Sequence, residues 1–547
     1  MNTRAKTISF VLKINTADYK TAYDKRLTEK VNTESIPMSN LQNITPQRAS
    51  LILVSFMSLL HLFLAFNVEL GGDEAHYALY GLMPDWSYFD HPPMVGWLQI
   101  IPMWLAPYDW SARLVPITLY ALLNYLLYQV TIELFTKKHS EQAWSSRVVD
   151  TETNPWLGFW SLVLLNTSLI LALMGMAMLP DNLLMVVSLA LILVVIKLLE
   201  TDALKYWIAL GLLVGLAALS KYTAVTLVAS LLLVMIFEKR GYWLLQKGLW
   251  MAVILALLMI TPVLYWNAQN EWASFLYQID HGTGSTLWEI ESLIKTQVTQ
   301  LISYTPALYL LGWWMMLKPS HYQKASSRLL LLFSLPITVL FAWGSGYEES
   351  LPHWVSLAWL LLIPIIVHWL WQRQTKKWFK PLVYSHLVIA GSLVLLAHSL
   401  LYKPWIPFPD HKNPIQGDYG WPQAAKTALE LQKSLAVNTE ELPLFVSNWS
   451  VASHLTWYVR PQPVFITSTK QTQFEFWFGL PKAGSNGLLV VPHYERVPPR
   501  TQRTAHFENC ILLKKEPLSV NGAIVVTYHY YHCQNLLSDV QDSQGQP

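Results

Sequence analysis

The sequence predicts a polytopic α-helical membrane protein of about 11–13 transmembrane helices that also carries a C-terminal soluble α/β domain. Three observations support this fold class. Only 13% of the 547 residues are charged, whereas roughly a quarter are charged in a typical soluble protein. Apolar segments of membrane-spanning length recur up to residue 402. After that point the chain is more polar, and its apolar runs shorten to the length of strands.

Individual helices follow from the length of each apolar segment, because a spanning helix needs about 20 mostly apolar residues. We predict spanning helices at 49–68, 111–135, 157–178, 182–200, 205–219, 222–238, 248–266, 297–317, 328–343, 353–371 and 382–402. The segments 205–219 and 222–238 are short, so a re-entrant pair is an alternative for them.

The distribution of Lys and Arg predicts the orientation. Basic residues concentrate in alternate loops, and cytoplasmic loops carry such an excess. We therefore expect a cytoplasmic tail over 1–48, a transmembrane domain over 49–402 and an exported domain over 403–547. The short loops favour a bacterial inner membrane, which would make the exported domain periplasmic. Met38, just before the first span, is an alternative start to Met1. The small net charge of +3 argues against nucleic acid as a partner.

The C-terminal segment has the pattern of a small α/β domain. Short apolar runs lie at Leu444–Ser447, Pro463–Ile466, Gly487–Val491 and Ala523–Tyr528, with Pro, Gly and Asn between them, as is typical of strands. Residues 421–435 predict an amphipathic helix. Outside the cytoplasm Cys510 and Cys533 would form a disulfide. The alternative is two unpaired buried thiols.

The first outer loop, residues 69–110, has the composition of a functional segment. It contains Asp73, Glu74, Asp85, Asp90 and Asp109 and no Lys or Arg. Carboxylates at a membrane surface are costly unless they are used or solvated, and the loop is longer than a connection needs. The loop therefore predicts a polar site on the outer face.

Three motifs follow one another along the chain: an Asp-Glu pair after the first span, then Phe-Asp-His-Pro-Pro, then an Arg that opens the following helix. This order resembles that of the GT-C superfamily of membrane glycosyltransferases. The branch that it most resembles includes the ArnT-like aminoarabinose transferases and the dolichyl-phosphate-mannose protein mannosyltransferases. Three later segments continue the resemblance, which covers roughly residues 50–370: Leu179-Pro180-Asp181, Ser220-Lys221-Tyr222 and Trp266-Asn267-Ala268-Gln269.

The resemblance implies a glycosyltransferase with a sugar donor on a polyprenyl phosphate. The acceptor, on the outer face, would be lipid A, another envelope glycan or a protein. Inverting transfer needs a carboxylate that takes the acceptor's proton, and the resemblance assigns this role to Asp73, with Glu74 as the fallback. Asp181 would orient the acceptor or a cation. The alternative for all three acids is a solvated loop residue or a helix cap.

The departing lipid phosphate needs positive groups, and the outer face has few. Lys221 and Arg113 are the candidates, and Arg offers a two-pronged contact. Their alternatives are snorkelling or a structural ion pair with Asp73 or Asp90.

The chain departs from the ArnT-like pattern before Pro92-Pro93, where that branch has Glu-Lys and this sequence has Asp90-His91. A neutral His is a poor substitute for a fixed cation, which puts aminoarabinose specificity in doubt. We assign Asp90 and His91 to substrate binding. Asp90, His91 and His281 are also of a type that suits a divalent metal ion, although they come from separate loops. No cofactor is certain.

Four further residues are candidates for substrate binding: Trp266, Asn267, Glu349 and His353. Interface anchoring explains the aromatic ones as well. Two other functions compete with the transferase, namely a transporter or flippase of lipid-linked sugars and a non-catalytic envelope assembly protein. A transporter predicts charges within several spans, whereas here the acids concentrate on one face.

Overall fold

The computed structural model describes residues 44–136, 154–283, 287–409, 412–435, 442–468, 470–495 and 506–537. The side chain of His281 lies outside the described residues, as does most of the tail over 1–48. From Pro46 onward the chain forms one compact unit.

The part of this unit up to Tyr402 is helical. Its α-helices in chain order are α1 (Pro46–Ala65), α2 (Gly72–Leu82), α3 (Met94–Leu105), α4 (Asp109–Ala112), α5 (Leu114–Phe135), α6 (Trp156–Asn166), α7 (Leu169–Leu173), α8 (Pro180–Glu200), α9 (Leu204–Ser220), α10 (Val225–Phe237), α11 (Lys247–Met259), α12 (Thr261–Gln269), α13 (Ala273–Thr283), α14 (Ile290–Ser303), α15 (Pro306–Leu317), α16 (Ala325–Gly344), α17 (Ser356–Trp371) and α18 (Phe379–Tyr402).

Six helical segments of the described chain are long and apolar enough to cross a membrane, or seven if the bent pair α11 and α12 is one span. The six are α1, Asp109–Phe135, α8, α16, Pro352–Trp371 and α18. The predicted fold class, a polytopic helical membrane protein with a C-terminal α/β region, is confirmed.

Full-length spans are fewer than the predicted segments because several segments are divided or short. Thr167 and Ser168 separate α6 from α7, and Tyr304 and Thr305 separate α14 from α15. Thr305 adopts a positive φ of 65°, which ends α14 because helical residues need negative φ. A hydropathy window averages over such breaks, so the sequence did not reveal them.

The C-terminal region contains a five-stranded mixed sheet. Its elements are α19 (Trp421–Leu435), β1 (Leu444–Val446), α20 (Trp449–Val459), β2 (Val464–Ile466), α21 (Gln473–Phe478), β3 (Gly487–Pro492), β4 (Phe507–Val520) and β5 (Ala523–Leu536). The strand order is β2-β1-β3-β5-β4, with β1 parallel to β2 and β3, and β5 antiparallel to β3 and β4.

The predicted helix and four predicted strands lie where the sequence indicates, but β4 was not predicted. It is an edge strand with polar residues such as Lys514, Lys515 and Glu516 in its second half. Charges of this kind keep an edge strand from pairing with another chain. They also interrupt the apolar run by which a strand is recognised in the sequence. Cys510 of β4 lies opposite Cys533 of β5, and the two form a disulfide.

The sheet region and the first outer loop share one hydrophobic core. Ala75, Ala78 and Leu79 of α2 pack in the same buried cluster as Leu455 of α20 and Trp421 of α19. This shared burial holds the C-terminal region directly against the acidic loop.

Candidate active site

The Asp73-Glu74 pair lies in the first turn of α2. Unsatisfied N–H groups and the helix dipole favour negative charge at this end of a helix. The backbone N–H of Gly71 donates to Glu74 Oε2 at 3.0 Å, so Glu74 caps the helix on which Asp73 sits. The two acids nevertheless have different surroundings.

Glu74 is buried and bound to Arg113. Arg113 donates from Nε to Glu74 Oε1 at 2.8 Å and from Nη2 to Oε2 at 2.6 Å. The same guanidinium donates to the backbone carbonyls of Val68 and Glu69. Arg113 therefore joins the end of the loop to its beginning, and four of its five N–H donors bond protein groups.

Asp73 is partly buried and turns its carboxylate to a cavity. Among the described residues it has no hydrogen-bond or ion-pair partner. Burial raises the pKa of Asp73 to about 6. The charge of His76 opposes this shift, and the carboxylates of Asp418, Asp90 and Glu74 add to it. Asp73 is thus a carboxylate that can accept a proton near neutral pH.

We call this cavity the acid cavity, because Glu69, Asp73, Glu74 and Asp418 line it. Its volume is about 500 Å³. Asp418 comes from the C-terminal region, and the backbone N–H of Gly72 donates to its Oδ1 at 3.3 Å.

Two of these acids besides Asp73 have shifted pKa values. Burial raises the pKa of Glu69 to about 7, although hydrogen bonds from the backbone of Trp421 and Gly420 act to lower it. Burial also disfavours the charged form of Asp418, but the nearby His454 outweighs it, so its pKa lies below the ordinary value.

Asp90 is not among the residues that line the acid cavity. It accepts a hydrogen bond from Tyr80 Oη and lies 3.3 Å from His76 Nε2. Burial works against its charged form, but His76 outweighs burial, and the pKa of Asp90 is well below its ordinary value. His76 Nδ1 lies 3.0 Å from Ser453 Oγ of α20. A buried polar connection therefore runs from the first loop to the C-terminal region.

Asp181 and Lys221 form a second charged group. Lys221 Nζ donates to Asp181 Oδ1 at 2.9 Å and to Oδ2 at 2.7 Å. An ammonium has three donors, so one remains beyond this pair. Burial lowers the pKa of His91 to about 4, and the charges of Asp90, Lys221 and Asp181 all act on it. His91 is therefore neutral at pH 7 and close to the pair, and its buried Nδ1 has no partner among the described residues.

The remaining candidates from the sequence lie apart from the acid cavity. Trp266 Nε1 donates to Asp85 Oδ2 at 2.9 Å. The side chain of Asn267 is buried and bonds the backbone of Val263 and Phe275. Glu349 is exposed and pairs with Lys295.

His353 sits in the one-turn helix before α17. It interacts electrostatically with Asp181, Lys221 and His91, so it lies near the second charged group.

A metal site was one expectation. Among the residues that the structure describes, no group of three or more His, Cys, Asp or Glu side chains is arranged to hold a metal ion. Both oxygens of Asp90 face Tyr80 and His76, which leaves this donor set a poor fit.

The sequence reasoning missed four residues of this region: Glu69, His76, Asp418 and Ser453. His76 follows Asp73 by three positions on one helix, and helical spacing predicts that such residues share a face, so this one could have been found. Asp418 and Ser453 carry no local pattern, because only the docking of the C-terminal region brings them to the loop.

Residues 147–266 match the family model of the dolichyl-phosphate-mannose-protein mannosyltransferases. The structure resembles the crystal structure of ArnT from Cupriavidus metallidurans bound to undecaprenyl phosphate, with a TM-score of 0.58 and 14% identity over 88% of this chain and 97% of that one. The chain therefore has the GT-C fold of this ArnT. The apo state of the same ArnT gives a TM-score of 0.55 at 14% identity and the same coverage.

A more distant GT-C structure is the archaeal oligosaccharyltransferase AglB from Archaeoglobus fulgidus, with a TM-score of 0.42 and 12% identity over 81% of this chain and 69% of that one. No curated protein matches the sequence. The segment matched by the family model includes Asp181 and Lys221 but begins after the first outer loop, residues 69–110. The family model therefore does not cover the first-loop acids.

Proposed function

We propose that this protein is an integral membrane glycosyltransferase that moves a sugar from a polyprenyl phosphate to an acceptor on the outer face of the membrane. The observation that carries the proposal is the unpartnered carboxylate of Asp73, with its raised pKa, in the wall of a cavity. The GT-C fold supports the reaction class, and the undecaprenyl phosphate bound to the similar ArnT supports the donor class. The acceptor is a lipid, another envelope glycan or a protein.

In this proposal Asp73 is the general base of an inverting transfer. The acceptor hydroxyl attacks the anomeric carbon, and its proton passes to Asp73. The bond from the anomeric carbon to the phosphate oxygen breaks, and the polyprenyl phosphate leaves with the electron pair. General-base catalysis of this type contributes about 10²–10⁴-fold. Glu74 cannot easily share the task, since Arg113 binds both of its oxygens.

The departing phosphate needs a cation, and Lys221 is our candidate. Its pairing with Asp181 holds the ammonium in place, while the third donor stays available for an anionic oxygen. The neutral His91 beside this pair would contribute a hydrogen bond rather than charge. Arg113 would act through Glu74 by fixing the turn that presents Asp73.

The location follows from the same proposal. The C-terminal region lies outside the cytoplasm, in the periplasm of a bacterial cell, with the N-terminus in the cytoplasm. The disulfide between Cys510 and Cys533 supports this orientation, because such bonds persist in oxidising compartments.

The test is mass-spectrometric profiling of glycolipids and glycans in cells with the wild-type gene, a deletion, Asp73→Asn and Asp85→Asn. Asp85 is the matched control, since it is an exposed acid of the same loop outside the cavity. We expect the deletion and Asp73→Asn to lose the same sugar from the same acceptor, while Asp85→Asn retains it. A profile that changes in the deletion but not in Asp73→Asn would favour a transporter or an assembly protein.

A further inference from the structure

The C-terminal region contacts the segment around Asp73 at successive residues. The backbone N–H of Trp421 donates to Glu69 Oε2 at 2.9 Å, and the N–H of Leu70 donates to Tyr458 Oη at 3.4 Å. Asp418 accepts from the N–H of Gly72. These contacts come from a region more than 300 residues away in the chain, as the separation of 346 positions for Gly72 and Asp418 illustrates. The C-terminal region thus forms part of the acid cavity.

Gly72 shows how close this approach is. A Cβ at this position would lie 2.5 Å from Ser450 Oγ and 3.3 Å from His454 Nε2. A side chain at this position would displace the Ser450 hydroxyl and press on His454, so α2 and α20 approach closely here. The packing of α2 against α20 therefore supports the hydrogen bond between Gly72 and Asp418.

The charge of the acid cavity is unsuitable for a phosphate. Four carboxylates line it, and Arg113 is the one basic side chain among the described residues of its wall. The donors of Arg113 point to Glu74 and to the backbone carbonyls of Val68 and Glu69. Like charges at short range cost several kcal/mol in a partly buried site. A phosphate would meet repulsion here without a free cation to offset it.

The other wall of the acid cavity is apolar. It is formed by Leu173, Met176, Ala177, Leu179, Leu351 and Leu401. Trp449, Tyr402 and Tyr419 add aromatic rings, which bind the apolar faces of sugars as well as lipid. The carboxylates accept hydrogen bonds, and the apolar residues contact hydrocarbon. Together they suit an amphiphilic molecule that carries hydroxyl groups.

We propose that the acid cavity is the acceptor subsite, that it takes a group bearing neutral hydroxyls rather than a phosphate, and that Asp418 is a specificity-determining residue that binds this group. The inference rests on the proposed function and deepens it. Asp418 accepts a hydrogen bond from an acceptor hydroxyl next to the one that Asp73 deprotonates. The lipid phosphate of the donor then lies near Lys221, which is not part of the lining of the acid cavity.

The test uses the full-length protein in detergent and in membrane vesicles, with Asp418→Asn and, as a matched control, Glu430→Gln, an exposed acid on α19. Asn retains an oxygen that can accept from Gly72, so the fold is expected to survive. Two quantities are measured. The first is the affinity for undecaprenyl phosphate. The second is the pair of KM values, for the lipid donor and for the acceptor whose glycan disappears in the deletion.

We expect Asp418→Asn to change the affinity for undecaprenyl phosphate less than about twofold and to raise the KM for the acceptor about tenfold, the loss of one hydrogen bond to a charged group. Glu430→Gln should change neither. An affinity for undecaprenyl phosphate that tightens about tenfold would place the phosphate in the acid cavity and overturn the inference. An unchanged KM for the acceptor would overturn it too.

The failure of the proposed function has a different signature. In that case the wild-type protein does not bind undecaprenyl phosphate and the deletion leaves every glycan unchanged, and the inference falls with it. If the wild-type protein binds the lipid and transfers sugar, the result for Asp418→Asn bears on the acceptor subsite alone.

Discussion

Arg113 binds Glu74 through two hydrogen bonds of 2.8 and 2.6 Å, immediately beside a neighbouring acid, Asp73, that has no such partner among the described residues. The two carboxylates are adjacent in sequence yet differ in role. Glu74 is tied to Arg113, whereas Asp73 lines the acid cavity.

Loss of the Arg113–Glu74 pair should destabilise the protein. Arg113→Ala leaves Glu74 as a buried charge without its partner, and breaking a buried pair in this way costs about 3–5 kcal/mol. Arg113→Lys should retain only part of the stability that Arg113→Ala loses, because Lys lacks the planar two-pronged geometry. The measurement is the free energy of unfolding in detergent. Lys295→Gln, which removes an exposed ion pair, is the control and should leave the free energy of unfolding unchanged. An unchanged free energy of unfolding in Arg113→Ala would contradict the prediction.

The rate of transfer should depend on pH through Asp73. A base must be deprotonated to act, and the pKa of Asp73 is raised to about 6. We therefore expect the rate to rise with pH and to reach half of its plateau near pH 6 in initial-rate measurements on vesicles. Asp85→Asn should keep this profile, and Asp73→Asn should lower the rate about 10²–10⁴-fold at every pH. A wild-type rate that is flat between pH 5 and 7 would contradict the assignment.

The ionised carboxylate of Asp73 should also lower the free energy of unfolding at neutral pH. Its folded pKa of about 6 exceeds the ordinary value of 3.8, so the folded state binds the proton more tightly than the unfolded state does. Stability is then lost as pH rises from about 4 to about 6 and stays reduced above that. Asp73→Asn should be more stable than the wild type at pH 7.5, with a smaller difference at pH 4.5. Equal unfolding free energies at pH 7.5 would show that Asp73 is not desolvated.

The Asp181–Lys221 pair allows stability and donor binding to be separated. Lys221→Gln leaves Asp181 as a buried unpaired charge, at a cost of about 3–5 kcal/mol. The double variant Asp181→Asn, Lys221→Gln removes both charges and should recover most of that loss. Both variants should bind undecaprenyl phosphate about tenfold more weakly, because both lack the cation. Normal affinity in the double variant would remove Lys221 from the donor site.

The fold class and several parts of the site follow from local features of the sequence. Hydropathy alone places α1, α8 and α18, because a bilayer requires about 20 apolar residues in succession. The end of α1 then places Asp73 at the start of the predicted outer loop, and the order of motifs singles out Lys221. A helix break such as the one at Thr305 does not change the mean hydropathy of its segment, so hydropathy does not reveal it.

The sequence by itself determined that the chain crosses a membrane many times, which acids belong to the first outer loop, and that a small sheet region follows the spans. Only the tertiary structure decided which acid of the pair is free, since the choice depends on Arg113 reaching Glu74 rather than Asp73. It also decided that Asp418 lines the same cavity as Asp73. The physical reason is that hydropathy and helix periodicity are properties of neighbouring residues, whereas the charge and shape of a cavity depend on packing between segments hundreds of residues apart.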